Sequence, residues 1–280
     1  MNIETALNQA NQELKKNNIF SYKLDSEILM TNVVKKERYF VILNLNKSLS
    51  NSQLINYRKL IKERSRGKPI SYLVGKKEFW KHEFYIEEGV LVPRPDTEVI
   101  VEQALKLSKN KSKLKVLEVG IGSGCILLSL LKEKKDFYGT GIDISKKCID
   151  ISKINSKKLG LKNRVKFFKT DVDNFNYGKY DLIISNPPYI KTLDLKYLDK
   201  DVIAFEPKIA LNGGLEGLSE IRKVINKSSE LIKIGGKLIL EIAFDQKNEV
   251  LELLKEKRFY INKTLKDLSK NDRCIISTKT

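Results

Sequence analysis

The sequence predicts an α/β protein with a doubly wound, mostly parallel sheet, preceded by a small N-terminal helical bundle and a β-hairpin connector. After Val99, apolar segments of strand length alternate with amphipathic segments of helical length. That order is typical of parallel sheets covered by helices on both faces. Gly120, Asp143, Asp171 and Asn186 each follow a predicted strand. Such sheets bind ligands beyond the carboxyl ends of their strands, so these four positions indicate one site.

The chain divides into three predicted segments, of which the last contains the alternating strands and helices. Residues 1–75 place apolar side chains three and four apart, as at Leu54, Tyr57 and Ile61, which predicts helices. They contain no catalytic motif, and we interpret them as a helical substrate-binding domain. Residues 76–97 alternate aromatic and β-branched with polar residues and predict a hairpin connector, with Asp96 or Thr97 capping the next helix. Residues 98–280 form the predicted sheet domain.

Within the sheet domain, helices and strands are predicted in a definite order. The predicted helices are "EVIVEQALKLS", "CILLSLLKE", "SKKCIDISKINSKKLG", "LSEIRKVINKSSELI" and "DQKNEVLELLKEK". The predicted strands are "KVLEVG", "FYGTGIDI", "RVKFFKTD", "YDLIISN", "GKLILEIA" and "DRCIISTK". Each strand is a short, mostly apolar run, as expected where both faces are buried.

The amino-acid composition narrows the class of protein further. Hydrophobic residues make up 41% and charged residues 31%, so a packed core is expected. The apolar runs are far shorter than the roughly 20 residues that cross a bilayer, and the N-terminus has no apolar signal-peptide region. We therefore expect a cytoplasmic protein without membrane contact, and a monomer. Cys125, Cys148 and Cys274 are far apart and His82 is the single histidine, so neither a disulfide framework nor a metal site is expected.

The net charge of +18 has two interpretations. Only 9 of the 53 basic residues are Arg, and the Lys residues are dispersed among Asn and Ile. This pattern favours a solvated surface produced by a general compositional bias. An RNA or RNA-associated partner is the alternative that charge alone leaves open. Direct nucleic-acid binding is not our expectation.

The stretch "EVGIGSG" predicts a nucleoside-binding loop. Gly120, Gly122 and Gly124 allow a tight turn and a close approach of backbone to ligand. Asp143 lies 19 residues after Gly124 and can accept hydrogen bonds from both hydroxyls of a ribose. Asp171 could accept from an adenine amino group. Because the sequence has no triphosphate-binding G-x-x-x-x-G-K-[ST] loop, S-adenosylmethionine fits better than a nucleotide.

The stretch "DLIISNPPYI" ends a predicted buried strand with Asn186, Pro187, Pro188 and Tyr189. Proline has no N–H and cannot lie inside a central strand. Two prolines in a row therefore fix the backbone and leave carbonyl oxygens without a sheet partner. We interpret residues 186–189, the NPPY corner, as a rigid binding site rich in hydrogen-bond acceptors.

Several motifs together resemble one family. "LVPRPDTE", "EVGIGSGCI", "GIDIS", "SNPPYI", "FEPKIAL", "GLEGL" and the terminal "NDR" occur in the same order in the HemK/PrmC family of bacterial release factor methyltransferases. The resemblance spans about residues 70–280. It implies a Rossmann-like AdoMet-dependent methyltransferase domain. It further implies methyl transfer from S-adenosylmethionine to the side-chain amide of the glutamine in the Gly-Gly-Gln loop of peptide-chain release factors.

The resemblance also implies roles for individual residues. The catalytic positions are Asn186, Pro187 and Tyr189, and Pro188 joins them in substrate binding. In this interpretation the Asn186 side-chain oxygen and the Pro187 carbonyl each accept one amide hydrogen, and the Tyr189 ring lies against the flat amide. The implied cofactor-binding positions are Glu118, Gly120, Ile121, Gly122, Ser123, Gly124, Asp143, Asp171, Val172 and Asn186. Val172 stands where the family often has an aromatic residue, so this chain has no ring there to stack on adenine.

One enzymatic alternative stays open. Adenine amino methyltransferases of ribosomal RNA or DNA use related corners, because the exocyclic nitrogen of adenine is also planar and conjugated. The chain lacks a sizeable target-recognition domain, and its N-terminal helices carry few aromatic residues for base stacking. These observations favour the amide substrate. A non-catalytic AdoMet-binding scaffold is disfavoured by the intact glycine loop, Asp143 and Asn186.

Overall fold

The computed structural model describes residues 1–267 and 269–280 and divides the chain into two compact units. The helical unit comprises Met1–Lys76 and Asp199–Phe205, and the sheet unit comprises Lys77–Leu198 and Glu206–Thr280. The helical unit therefore contains a short segment that follows the NPPY corner by ten residues.

The secondary structure elements follow one another in a regular order. The α-helices are α1 (Ile3–Lys16), α2 (Tyr22–Val34), α3 (Arg38–Leu43), α4 (Asn51–Ser65), α5 (Ile70–Val74), α6 (Glu98–Leu107), α7 (Cys125–Glu133), α8 (Lys146–Lys158), α9 (Lys200–Phe205), α10 (Ser219–Leu231) and α11 (Lys247–Glu256). The strands are β1 (Lys76–Phe79), β2 (His82–Tyr85), β3 (Lys115–Val119), β4 (Tyr138–Asp143), β5 (Val165–Lys169), β6 (Tyr180–Ser185), β7 (Ile232–Glu241), β8 (Phe259–Lys266) and β9 (Asp272–Lys279). Short 3-10 helices cover Pro95–Thr97, Val172–Asn174, Thr192–Tyr197 and Lys208–Ala210.

The helical unit is held by one apolar core. In α1 the side chains of Ile3, Ala6, Ala10 and Leu14 are buried, a spacing of three and four residues that gives the helix a single apolar face. This face joins a core to which α2 and α4 also contribute, including fully buried Leu29, Met30 and Tyr57. The amphipathic pattern of the N-terminal sequence thus produces a helical bundle.

Arg64 forms a buried ion-pair centre in the helical unit. Its Nε donates to Asp25 of α2 at 2.7 Å, and its Nη1 donates to Asp201 of α9 at 3.0 Å and to the Lys68 carbonyl at 3.1 Å. Arg64 is 8% exposed and Asp25 is 5% exposed. A buried charge is stable only when it is paired, so this arginine links α2, α4 and α9.

The sheet unit contains a seven-stranded sheet in the order β5-β4-β3-β6-β7-β9-β8. The pairs β3–β4, β3–β6, β4–β5 and β6–β7 are parallel, whereas β7–β9 and β8–β9 are antiparallel. The predicted doubly wound, mostly parallel sheet is confirmed. Its edge strand β8 was not predicted, because "FYINKTLK" is largely polar and solvent-facing, as edge strands commonly are.

Strand order determines where a ligand can bind. The chain passes from β3 outward to β4 and β5 and then returns to β6 on the other side of β3. This switch point opens a crevice at the carboxyl ends of the strands. The ends coincide, because Val119 of β3 pairs with both Ile142 of β4 and Ser185 of β6, and Ser185 pairs with Leu240 of β7. The loops after these strands therefore meet at one edge.

Across the described residues, every helix is too short or too polar to cross a membrane.

Candidate active site

A pocket of ≈ 500 Å³ lies in the sheet unit at the carboxyl ends of the parallel strands. The sequence-predicted positions that line it are Glu118, Gly120, Ile121, Gly122, Ser123, Asp143, Asp171, Val172, Asn186, Pro187 and Pro188. Gly124 and Tyr189 are not among its lining residues. The predicted nucleoside loop and the NPPY corner thus share one cavity.

The glycine loop joins β3 to α7 and uses its glycines in two different ways. All three have positive φ, at 72° for Gly120, 54° for Gly122 and 81° for Gly124. A Cβ on Gly120 or Gly122 would meet nothing within 4 Å, so these two face open pocket space. A Cβ on Gly124 would lie 2.8 Å from Leu128 Cδ1 and 3.2 Å from Ser152 Oγ. Gly124 is therefore required for helix packing, which explains why it does not line the pocket.

Asn155 of α8 supports the loop from behind. Its Nδ2 donates to the Ser123 carbonyl at 2.9 Å and to the Tyr85 carbonyl at 3.0 Å, and its Oδ1 accepts from the Tyr85 N–H at 2.7 Å. It is 1% exposed. This side chain connects the β1–β2 hairpin to the glycine loop. Sequence reasoning missed it, because an asparagine inside a helix gives no signal of a long-range partner.

We expect Asn155→Ala to loosen the glycine loop. The substitution leaves the buried Ser123 carbonyl and the partly buried Tyr85 backbone groups without this partner, and an unpaired buried group costs roughly 1–3 kcal/mol. The affinity for S-adenosylhomocysteine, measured by calorimetry, should fall by about tenfold or more. Ser229→Ala on α10 is the matched control, because its hydroxyl bonds only to the Asn226 carbonyl of the same helix. Equal affinities in the two variants would contradict this role for Asn155.

Glu118 lies within β3 directly before the loop. It is 1% exposed, and its Oε2 accepts from the Leu127 N–H of α7 at 2.9 Å. Burial raises the pKa of this carboxyl well above its usual value, and the Leu127 hydrogen bond opposes that shift. Glu118 therefore supports the loop and lines the pocket at the same time.

Asp143 ends β4 and lines the pocket next to the glycine loop. Its Oδ2 accepts from the Gly122 N–H at 2.9 Å and its Oδ1 from the Ser145 N–H at 2.8 Å. Burial raises the pKa of Asp143, and these two hydrogen bonds lower it. Each carboxylate oxygen retains a further lone pair, so binding of ribose hydroxyls stays a prediction consistent with this geometry.

Asp171 and Val172 follow β5. The Asp171 Oδ1 accepts from the Asp173 N–H at 3.0 Å and begins the 3-10 helix Val172–Asn174. Val172 is buried and presents an aliphatic wall to the pocket. Their predicted contacts with adenine stay predictions.

The NPPY corner follows β6 and is fixed by contacts on several sides. The Asn186 Nδ2 donates to Thr97 Oγ1 at 3.2 Å. The Tyr189 carbonyl accepts from Gln246 Nε2 at 3.0 Å. A Cβ on Gly213 would lie 2.8 Å from both the Pro188 carbonyl oxygen and the Tyr189 Cα. Only glycine therefore allows that loop to pack against the corner.

The free hydrogen-bond acceptors of the corner are the important feature. Since the nitrogen of the Asn186 amide is directed at Thr97, its Oδ1 remains available to the pocket that Asn186 lines. In the described parts of the chain, the Pro187 carbonyl accepts no hydrogen bond. Two neighbouring acceptors suit a planar NH₂ group with two hydrogens to donate.

Tyr189 is fixed in a different direction. Its hydroxyl donates to Glu241 Oε1 at the end of β7, at 3.2 Å, and the ring packs against the main core of the sheet unit. Burial and the nearby Glu241 carboxylate raise the pKa of Tyr189. Its predicted stacking on the substrate amide stays a prediction.

Glu206 joins two motifs at the rim of the pocket. Its carboxylate accepts from Arg94 Nη2 at 2.5 Å and from the Val92 N–H at 3.2 Å, and its side chain is 2% exposed. Arg94 lies in "PRPDTE" and Glu206 opens "EPKIAL". The motifs were recognised in the sequence, but their pairing was not, because 112 residues separate the two side chains.

Comparisons with known proteins agree with this geometry. Residues 5–75 match the family model "PrmC N-terminal domain", and residues 97–264 match the model "Methyltransferase small domain". Release factor glutamine methyltransferase from Clostridium acetobutylicum is 39% identical over 100% of this chain and 99% of its own length. The protein of the same name from Buchnera aphidicola subsp. Baizongia pistaciae is 39% identical over 100% of both chains.

The chain belongs to the release factor glutamine methyltransferase family. Two solved structures share its fold at 18% sequence identity. Ribosomal protein L11 methylase from Lactobacillus delbrueckii subsp. bulgaricus gives a TM-score of 0.51, covering 73% of this chain and 90% of that chain. A methyltransferase from Pyrococcus furiosus gives a TM-score of 0.53, covering 70% of this chain and 88% of that chain. The predicted HemK/PrmC resemblance and the prediction of a methyltransferase are confirmed.

Proposed function

We propose that this protein transfers a methyl group from S-adenosylmethionine to the side-chain amide nitrogen of the glutamine in the Gly-Gly-Gln loop of bacterial peptide-chain release factors. The observation that carries the proposal is the orientation of Asn186. Its amide nitrogen is held by Thr97, so its oxygen and the Pro187 carbonyl form a pair of acceptors beside the pocket. The names of the full-length relatives support the same substrate.

The pocket residues fit S-adenosylmethionine. Gly120 and Gly122 leave open space that any Cβ would fill, as a closely approaching ligand requires. The carboxyl groups of Glu118, which is buried, and of Asp143, which is partly buried, both line the pocket and offer hydrogen-bond acceptors to a ligand with an ammonium group and hydroxyls. Among the described residues, no group of three or more His, Cys, Asp or Glu side chains could hold a metal ion.

The proposed chemistry depends on positioning. When bound, S-adenosylmethionine supplies a methyl group activated by its sulfonium. An amide nitrogen is a weak nucleophile, because its lone pair is delocalised into the carbonyl. Asn186 Oδ1 and the Pro187 carbonyl would accept the two amide hydrogens, direct the nitrogen at the methyl group and stabilise positive charge that develops there. As the C–N bond forms and the C–S bond breaks, the nitrogen becomes strongly acidic and loses one proton to an available acceptor.

The remaining parts of the proposal concern partners. The helical unit carries no catalytic motif and matches the family's N-terminal domain over residues 5–75. We propose that it binds the body of the release factor. We propose a cytoplasmic location as well, because a release factor acts at the ribosome.

A methyl-transfer assay tests the proposed function. Purified protein and labelled S-adenosylmethionine are incubated with a recombinant release factor, with its Gly-Gly-Gln variant carrying Ala for Gln, and with total RNA or DNA. We expect label on the intact factor and none on the Ala variant. Label on nucleic acid alone would instead assign the NPPY corner to adenine.

A further inference from the structure

Next to the NPPY corner lies a set of buried polar side chains that do not themselves contact the substrate in the proposed chemistry. Thr97 is 3% exposed and occupies the N-cap position of α6, yet its side chain makes no capping hydrogen bond. A threonine at this position normally accepts from a backbone N–H of the first helical turn. Here its oxygen accepts from Asn186 Nδ2 at 3.2 Å instead.

Glu241 lies on the same side of the corner. It ends β7, which pairs with β6, and it is 3% exposed. Its Oε1 accepts from the Tyr189 hydroxyl at 3.2 Å. Its Oε2 is buried and, in the described parts of the chain, has no hydrogen-bond partner. A buried carboxylate oxygen without a partner is costly, so its presence calls for a reason.

Several groups face the Glu241 carboxyl and control its charge. Burial raises its pKa to about 7, whereas the Thr97 hydroxyl, the Arg273 guanidinium and the Tyr189 hydroxyl lower it. Asp96 on the 3-10 helix before α6 raises the pKa further. The Cys274 thiol of β9, paired opposite Glu241, stays protonated because burial and this carboxylate raise its own pKa. The carboxyl therefore changes charge close to neutral pH.

We propose that Thr97 and Glu241 are positioning residues for the NPPY corner. In this proposal Thr97 fixes the Asn186 amide with its oxygen toward the pocket, while ionised Glu241 accepts from the Tyr189 hydroxyl at Oε1 and offers its unpartnered Oε2 to the nearby Thr97 hydroxyl. This inference rests on the proposed function and adds how its acceptor pair is held.

The charge of Glu241 matters because of the donors around it. A carboxylate only accepts hydrogen bonds, so it can take both hydroxyl protons and leave the Thr97 lone pairs to Asn186. A protonated Glu241 must donate its own O–H to an acceptor. When that acceptor is the Thr97 oxygen, Glu241 competes with the Asn186 amide for the same lone pairs. Turnover should therefore fall as the pH is lowered through about 7.

Two variants of Thr97 test its positioning role. Thr97→Val keeps the shape and removes the hydroxyl, and we expect kcat to fall by about tenfold or more, because small misplacements of reacting groups are costly. The affinity for S-adenosylhomocysteine should stay within about threefold, because the Thr97 oxygen is occupied by the Asn186 amide and is not left free for the ligand. Thr97→Ser restores the hydroxyl and should restore most of the rate. A merely structural role would not give this split between kcat and affinity.

Glu241→Gln tests the role of charge. The variant should lose turnover and also the acid limb near pH 7, whereas Glu256→Gln, at an exposed position on α11, should keep the wild-type profile. Stability provides a second readout with a defined sign. The pKa of Glu241 is raised in the folded state. Its contribution to the free energy of unfolding is therefore fully present below about pH 4.5 and is lost as the pH rises through about 7. The melting temperature of wild type relative to Glu241→Gln should therefore decline between pH 5 and pH 8.

The outcomes separate this inference from the proposed function. Each variant is compared with wild type on whichever substrate the wild type methylates, whether release factor or adenine. Wild-type turnover in Thr97→Val, or the same acid limb in Glu241→Gln, would overturn the inference and leave the proposed function intact. If neither substrate is methylated, the inference is tested by the rate at which the Asn186 side-chain amide hydrogens exchange with solvent, measured by NMR. We expect slow exchange in wild type and Thr97→Ser and fast exchange in Thr97→Val, and equal rates would overturn the inference.

Discussion

Replacing Asn186 with Ala is expected to lower the methylation rate by about 10²- to 10³-fold. The reason is that a preorganised hydrogen-bonding group acting on the charge that develops in the transition state typically contributes about 2.7–4 kcal/mol. In the proposed chemistry Asn186 Oδ1 would be such a group, because Thr97 holds the other end of the amide. The rate would be measured with saturating S-adenosylmethionine and an intact release factor, so that the chemical step is compared.

Two comparisons sharpen this prediction. Asn226→Ala, at an exposed position on α10, is the matched control and should keep the wild-type rate. The affinity of Asn186→Ala for S-adenosylhomocysteine should change only a few-fold, which would separate a lost amide contact from a collapsed pocket. Near-normal turnover in Asn186→Ala would exclude the acceptor-pair mechanism.

Replacing Arg64 with Ala is expected to destabilise the helical unit by about 3–5 kcal/mol, because removing one partner of a buried ion pair leaves the other charge unpaired. Asp25 would be that charge, and among the side chains that the structure describes the Ser21 hydroxyl, at 2.8 Å, would remain as its donor. Hydrogen exchange of the α2 and α4 amides would measure the loss locally. The α9 segment should also be released, because Arg64 is the residue that pairs with Asp201.

The residue that directly follows α4 offers a control. Arg66 pairs with Glu63 at 2.8 Å, but its side chain is 60% exposed. Arg66→Ala should therefore cost less than about 1 kcal/mol. The double variant Asp25→Asn with Arg64→Met should recover most of the stability, since it removes both buried charges. If Arg64→Ala and Arg66→Ala lower the free energy of unfolding by the same amount, burial of the Arg64–Asp25 ion pair is not the cause of the destabilisation.

Local patterns were sufficient to predict much of the sheet unit. The apolar strand segments and amphipathic helices correspond to β3–β7, β9, α6–α8, α10 and α11. These predictions held because burial on both faces imposes a pattern that is visible in a short window. Strand β8 was missed, and so was the short helix α9, whose six residues give less than two helical turns for a periodic pattern to appear in.

The candidate site was predictable in part, because some of its residues also form patterns that are visible in a short stretch of sequence. Glycine, proline and carboxylate residues at strand ends are visible locally, and the pocket brings Gly120, Asp143 and Asn186 together. The supporting residues were not visible. Asn155, Glu206 and Gln246 are ordinary polar residues in the sequence. Their partners Tyr85, Arg94 and Tyr189 lie 70, 112 and 57 positions away.

The sequence by itself determined the alternation of elements, the kinds of residue at the strand ends and the family to which the chain belongs. Only the tertiary structure decided which polar side chains face one another. Thr97 and Asn186 are 89 positions apart, and Tyr189 and Glu241 are 52 apart. Such pairs arise from strand order and burial, because folding places them where each polar group must find a partner within the protein. The orientation of the Asn186 amide, on which the proposed chemistry depends, is therefore a property of the fold.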